Sequence, residues 1–191
     1  MINCLITGVG GQGTVLASKL LAEAAMEEGY NVRTTETIGM AQRGGCVVSH
    51  VRIGETLYSP LIARGQADLI ISFEPAEAVR VLPYLKKGGV MVVNTEPTKP
   101  IIGPEAYECE KLLLFLKQNV EQLKFVDGKA ICIKCGEPRA LNIALLGAAL
   151  NTHKLPITKE KIETMIKKKF KEKVAQVNLK ALRLGLEEEE E

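Results

Sequence analysis

The sequence predicts an α/β fold in three layers: a mainly parallel sheet with helices on both faces, plus further C-terminal helices. Short apolar runs of strand length alternate with helix-forming segments, the pattern of parallel strands joined by helical crossovers. The first run, Cys4-Leu5-Ile6-Thr7, passes straight into a glycine cluster that opens a helix-forming stretch. From Leu141 onward the chain carries helical rather than strand periodicity.

Each element follows from local chemistry. Thr14 to Glu28 has apolar residues at Leu16, Leu20, Leu21, Ala24 and Ala25, a helical spacing that Gly29 stops. Asn31 to Glu36 reads as a second strand, Thr37 to Gly45 as a polar, glycine-rich loop, and Cys46 to Ile53 as a third strand. Asp68 to Phe73 is a buried strand bounded by Glu74-Pro75. Pro75 suits the first position of a helix running to Leu85, which Lys86-Lys87-Gly88-Gly89 ends. Val90 to Asn94 is the next strand, and Pro97, Pro100 and Pro104 mark an irregular segment. Leu112 to Leu123 reads as a helix, Lys129 to Ile133 as a short strand, and Leu141 to Leu150 as a buried helix. Thr158 to Phe170 and Lys173 to Leu184 are amphipathic helices. One domain over 1–186 is expected, with 155–186 as a helical extension. The five glutamates of 187–191 are expected to form a disordered acidic tail.

Composition narrows the function. A chain of 191 residues buries roughly 70% of its unfolded surface and folds without staples. A net charge of +2, with only 4% aromatic residues, argues against nucleic acid. No apolar run approaches the ~20 residues of a bilayer span. Five cysteines without framework spacing suit a reducing compartment, and the N-terminus reads as a strand rather than a signal peptide, so a cytoplasmic location is expected. Between Lys154 and Lys173, eight Lys face three Glu, read as a solvated helix surface rather than an acidic docking patch.

The sharpest local signal is Gly8-Val9-Gly10-Gly11-Gln12-Gly13 between strand and helix. Glycines let the backbone turn tightly, and a helix N-terminus favours phosphate or carboxylate. The spacing fits G-x-G-x-x-G, and Glu36 falls where a dinucleotide fold keeps its ribose acid. The same residues also suit a tight turn that holds no ligand.

Further motifs follow in order: Ile38-Gly39-Met40-Ala41-Gln42-Arg43-Gly44-Gly45, Ser49-His50-Val51-Arg52-Ile53-Gly54, Ser59-Pro60-Leu61-Ile62 and Asp68-Leu69-Ile70-Ile71-Ser72-Phe73-Glu74. The series resembles the gamma subunit, or gamma domain, of the 2-oxoacid:ferredoxin oxidoreductases, and within them the indolepyruvate branch of archaea and anaerobic bacteria. The resemblance runs from Met1 to about Asn94 and returns more weakly at Asn142 to Leu150. It implies a heteromeric enzyme that oxidatively decarboxylates arylpyruvates with coenzyme A, giving an aryl-acetyl-CoA, carbon dioxide and electrons for ferredoxin. It implies that a larger alpha subunit carries thiamine diphosphate and the iron–sulfur clusters. The small subunit would pack against it, near the coenzyme A path, and be inactive alone.

The residues agree with that division. The chain lacks the Gly-Asp-Gly metal motif of a thiamine site. Cys132-Ile133-Lys134-Cys135 is a single C-x-x-C, short of the four ligands of a ferredoxin-type cluster or zinc site, with His50 and His153 far off in sequence. It reads as structural or incidental. Arg43 offers a planar fork for phosphate or carboxylate on a loop that Gly44 and Gly45 let lie flat against a ligand or partner. The candidate ligand-binding set is therefore Gly8, Gly10, Gly11, Gln12, Gly13, Arg43, Gly44 and Gly45. No catalytic residue or metal ligand is assigned. Ser49 and Arg52, alternating with Val48 and Val51, suggest a polar strand face toward a partner; His50 reads as structural. The competing reading is a stand-alone NAD(P)- or nucleotide-binding oxidoreductase built on the glycine loop. A scaffold with an empty loop is a third.

Overall fold

The computed structural model describes residues 1–39, 45–97 and 108–187. Strands β1 (Ile2–Val9), β2 (Asn31–Ile38), β3 (Cys46–Gly54), β4 (Ala67–Ser72), β5 (Leu85–Asn94) and β6 (Gln122–Val126) form one sheet in the order β2-β3-β1-β4-β5-β6. β1, β4, β5 and β6 pair in parallel, while β3 runs antiparallel to both β1 and β2. A single reversed strand thus sits in an otherwise parallel sheet, as the α/β patterning predicts.

The helices are α1 (Thr14–Glu27), α2 (Pro75–Val81, continued by a tighter turn over Leu82–Tyr84), α3 (Cys109–Asn119), α4 (Gly128–Cys135), α5 (Leu141–Leu150), α6 (Lys159–Lys169) and α7 (Glu172–Glu187). Alternation along the strands separates two cores. Cys4, Ile6, Leu69, Ile71, Val90 and Val92 meet α1, α4, α5, α6 and α7 on one face. Leu5, Ile70, Met91 and Val93 meet α2 and α3 on the other. The successive side chains of a strand point to opposite faces, so each inner strand supplies both layers.

α5 is apolar but for Asn142 and buried from Asn142 to Leu150, as a helix wedged between sheet and outer layer must be. α7 crosses it closely: a Cβ on Gly147 would overlap the Leu182 carbonyl, and one on Gly185 the Ala144 carbonyl. α6 buries Ile162, Met165 and Ile166 and lays lysines along α1, with Lys168 to Glu27 at 2.6 Å and Lys169 to Glu23 at 2.7 Å. The lysine-rich stretch is therefore in part a seam between helices rather than wholly a solvated face.

Several expectations are corrected. Lys129 to Ile133 is helical, inside α4: Asp127 caps its start by accepting from the Ala130 amide at 2.8 Å, and Gly136 ends it in the left-handed region. The helix expected to reach Leu123 stops at Asn119, and β6 follows. Lys86 to Gly89 lie within β5 rather than in a turn; the β4–β5 register shifts nearby, between Ala67 and Leu69. Ser49 and Arg52 do not share a face, because they are three residues apart and a strand repeats every two. Ser49 is fully buried on the α1 side with Val51 and Ile53. The segment with Pro100 and Pro104 and residues 188–191 lie outside the described residues.

Candidate functional site

The glycine turn leaves the C-terminal end of β1, where open parallel sheets place ligands. Gly13 takes φ 86°, a left-handed conformation costly for any side chain, and sits against the Asn142 amide of α5. Gly8 has no room for a Cβ between Gln12, Phe73 and Thr14. Gln12 folds back into the crook of the turn. Its Oε1 accepts from the Val9 amide at 2.8 Å and its Nε2 donates to the Phe73 carbonyl at 3.3 Å. Gly8, Gln12 and Gly13 therefore build the turn, while Gly10 and Gly11 face outward.

The structure brings the two glycine segments together: the Gly10 amide donates to the Gly45 carbonyl at 2.9 Å. Gly39 is tied to the start of β3 through its amide and the Cys46 carbonyl, at 2.7 Å. Arg43 and Gly44 lie outside the described residues, between these two anchors. The outward glycines open onto a cleft of about 600 Å³ with the start of α1, Val47, Lys19 and Lys169. Gly13 gives α1 no side-chain cap, so the dipole's positive end borders the cleft beside Lys19, a setting for an anion, while Lys169, which also lines it, is ion-paired with Glu23 at 2.7 Å. Lys19 and Lys169 were not singled out from the sequence; both lie on helix surfaces, and only the packing of α6 onto α1 brings Lys169 to the turn.

After β4, Glu74 caps α2, its Oε2 accepting from the Glu77 amide at 3.0 Å. Glu77 is buried with Oε1 3.3 Å from Arg80, and among the described residues no hydrogen-bond donor meets its Oε2. Burial and this carboxylate push the Cys46 thiol up to about 11, so the group stays protonated. Asn94, at the end of β5, donates to the Phe73 carbonyl at 3.1 Å and accepts from the Gly128 amide at 3.2 Å. It was absent from the sequence candidates, although an Asn closing an apolar strand was a visible signal.

His50, in mid-strand opposite Leu5, and Arg52, opposite Asn3, lie away from the glycine turn. His50 Nδ1 accepts from the Ile62 amide at 3.2 Å, and burial lowers its pKa. Arg52 donates to the Ser59 carbonyl at 2.7 Å and to Asn3 Oδ1 at 2.9 Å. Both side chains hold the loop after β3, which gives them a structural role. Cys132 and Cys135 lie on α4. Among the described residues no group of three or more His, Cys, Asp or Glu is placed to hold a metal ion.

A dinucleotide fold keeps its ribose acid on the strand next to β1. Here β3 intervenes, and Glu36 pairs with Ser49, two strands away from β1, or about 10 Å. The glycine fingerprint therefore lacks its acidic partner.

The family profile for pyruvate ferredoxin/flavodoxin oxidoreductase matches residues 3–188, nearly the whole chain. The chain belongs to this family. Within the pyruvate ferredoxin/flavodoxin oxidoreductase family it is similar to the indolepyruvate oxidoreductase subunit IorB of Pyrococcus horikoshii: 39% identical, covering 96% of this chain and 94% of the relative. The pyruvate/ketoisovalerate oxidoreductases common subunit gamma of Pyrococcus abyssi is 33% identical, over 98% and 96%. Among solved structures, the pyruvate oxidoreductase subunit PORC of Thermotoga maritima superposes with a TM-score of 0.76 at 26% identity, covering 98% of this chain and 96% of that one. The chain is thus a small, gamma-type subunit of a multi-subunit 2-oxoacid:ferredoxin oxidoreductase. Likeness extends well past Asn94, through the C-terminal helices. Among the described residues no helix is long and apolar enough to cross a membrane.

Proposed function

We propose that the chain is the small subunit of a cytoplasmic, thiamine-diphosphate-dependent arylpyruvate (indolepyruvate):ferredoxin oxidoreductase. The reaction joins an aryl 2-oxoacid to coenzyme A, releases carbon dioxide and passes two electrons to ferredoxin. The carrying observation is the end-to-end likeness to subunits named IorB, at 39% identity against 33% for the subunit shared by pyruvate and ketoisovalerate enzymes.

Thiamine diphosphate and iron–sulfur clusters belong to the larger alpha subunit in this reading. This chain's own cysteines fit that assignment: Cys4 is fully buried in the core, and Cys132 and Cys135 form a single pair rather than a set of four ligands. Thiamine diphosphate would supply the stabilised carbanion chemistry and the clusters the electron path.

The small subunit's contribution is a surface. Gly10, Gly11, the start of α1 and Lys19 form its anion-favouring part, Gly45 is hydrogen-bonded to Gly10 beside it, and Arg43 and Gly44 precede Gly45 in the sequence. A coenzyme A phosphate or a carboxylate of the large subunit suits this chemistry, because backbone amides and a guanidinium both bind oxyanions. Purification tests the assignment. The chain should copurify with a larger iron–sulfur subunit, and by itself should be colourless, without turnover and indifferent to NADH. Turnover by the isolated chain, or tight NADH binding, contradicts it.

A further inference from the structure

Cys132 and Cys135 take no part in the proposed function, yet they stand one helical turn apart on α4. Residues three apart share a helix face. Helical geometry sets their Cα atoms about 5 Å apart, inside the roughly 4.4–6.8 Å that a disulfide spans, while their Cβ atoms, about 5–6 Å apart on a regular helix, must close to roughly 3.5–4.5 Å, so forming the bridge distorts the last turn of α4 before Gly136. We propose that Cys132 and Cys135 form a reversible dithiol–disulfide pair toward small external disulfides, with Cys135 as the attacking thiol and Cys132 as the resolving one.

The two thiols differ in setting. Cys132 is 9% exposed and faces an apolar groove of about 480 Å³ with Pro138 and Leu141. Its thiol donates to the Pro138 carbonyl at 3.6 Å. Burial, with Cys135 and Glu137 nearby, pushes it up to about 11, so almost none of it is thiolate near neutral pH. Cys135 ends α4 and is only partly buried. Burial raises its pKa too, but the Lys180 ammonium of α7 opposes that shift. Lys180 is fixed beside it by donating to the Lys134 carbonyl. A neighbouring cation favours the thiolate, the species that attacks. The turn is also held in place: the Cys132 carbonyl accepts from the Gly136 and Glu137 amides at 2.9 and 3.2 Å. The two thiols therefore stay neighbours on one helix face, and closing the bridge loosens these bonds.

The exchange balances. The Cys135 thiolate attacks one sulfur of an external disulfide, breaks its S–S bond and expels one thiolate, leaving a mixed disulfide. Deprotonated Cys132 then attacks the Cys135 sulfur and expels the second. Two electrons leave the dithiol for the external disulfide, and the two thiol protons end on the released thiols. Cys132 gives up its Pro138 contact in the process.

Glutathione disulfide added to the purified full chain tests this, followed by alkylation, intact mass and peptide mapping. The wild type should lose two hydrogens, show a Cys132–Cys135 link without retained glutathione, and regain both thiols with dithiothreitol. Cys132→Ser should trap glutathione on Cys135, and Cys135→Ser should react at Cys132 roughly tenfold or more slowly. A persistent glutathione adduct on the wild type overturns the proposal. So does a link to Cys46 or Cys109, a pair that stays reduced, or a Cys135→Ser variant that reacts as fast as Cys132→Ser. The wild-type mass alone decides if either variant fails to fold.

Discussion

Gln12 and Asn94 donate to the same acceptor, the main-chain carbonyl of Phe73. One side chain comes from the glycine turn after β1, the other from the end of β5, and Phe73 directly follows β4 between them. Asn94 also accepts from Gly128, the first residue of α4. Two amides thus stitch the ends of four neighbouring parallel strands at the edge where the candidate site lies.

Removing the stitch should cost stability by a named route. Asn94 is 2% exposed, so Asn94→Ala strands the buried Gly128 amide and part of the Phe73 carbonyl's bonding. The expected loss is about 1–3 kcal/mol in denaturant unfolding. Gln12→Ala should cost less, because Gln12 is only partly buried. A double-mutant cycle should show the two losses failing to add, since they share an acceptor. Strict additivity would mean that each amide acts alone.

The α5–α7 crossing offers a test with a reversed sign. In an exposed helix, replacing Gly by Ala gains up to about 1 kcal/mol. At Gly147 and Gly185 the added methyl meets a carbonyl of the opposing helix, so Gly185→Ala should destabilise by about 1–3 kcal/mol, as overpacking does. A thermal melt of Gly185→Ala at or above the wild-type midpoint would show that the helices can part at no cost.

Much of this fold was legible because burial on both faces leaves continuous apolar runs, as in Asp68 to Phe73 and Val90 to Asn94. β6 escaped for a physical reason: Lys124 is buried in it while Leu123 and Phe125 are only partly so, which scrambles the expected alternation. α4 was misread because Ile131 and Ile133 are β-branched, although Asp127 and Gly136 carry its cap signals. The glycine turn was readable as a turn. That Gln12 fills it was not, because Phe73 is 61 residues away along the chain. The close approach of Gly147 to α7 is likewise a property of the pair of helices, invisible in either alone.

His50 predicts a pH dependence. Its Nδ1 can accept from the Ile62 amide only while the ring is neutral on that side, and burial holds its folded pKa below the usual value near 6.5. Below about pH 6.5 the unfolded chain therefore binds a proton that the folded chain refuses, and unfolding gains. The contribution is complete above about 6.5 and declines as pH falls from there toward the folded pKa. His50→Asn keeps an acceptor but does not titrate. Its melting temperature should fall less than that of the wild type between about pH 7 and pH 5.5. Parallel slopes would remove His50 as the cause.

Arg43 separates folding from assembly. Arg43→Ala, in the glycine-flanked loop that the sequence predicts, should change stability by no more than about 0.5 kcal/mol. A lost charge-assisted bond of roughly 1.5–3 kcal/mol should raise the coenzyme A constant or the subunit dissociation constant about ten- to a hundredfold. Steady-state kinetics and a subunit titration on the variant complex check this. Unchanged values in both would leave the Gly8 to Gly13 turn as the remaining candidate.

The central claim is that this chain serves arylpyruvate oxidation only as part of a complex. Its most direct measurement is coenzyme A-dependent dye reduction by the copurified large subunit, the isolated chain and the two together, with indolepyruvate, pyruvate and 2-ketoisovalerate as substrates. The account predicts turnover by the pair alone, fastest with indolepyruvate. Equal or greater turnover of the aliphatic acids by the pair, or full activity of either chain alone, would contradict it.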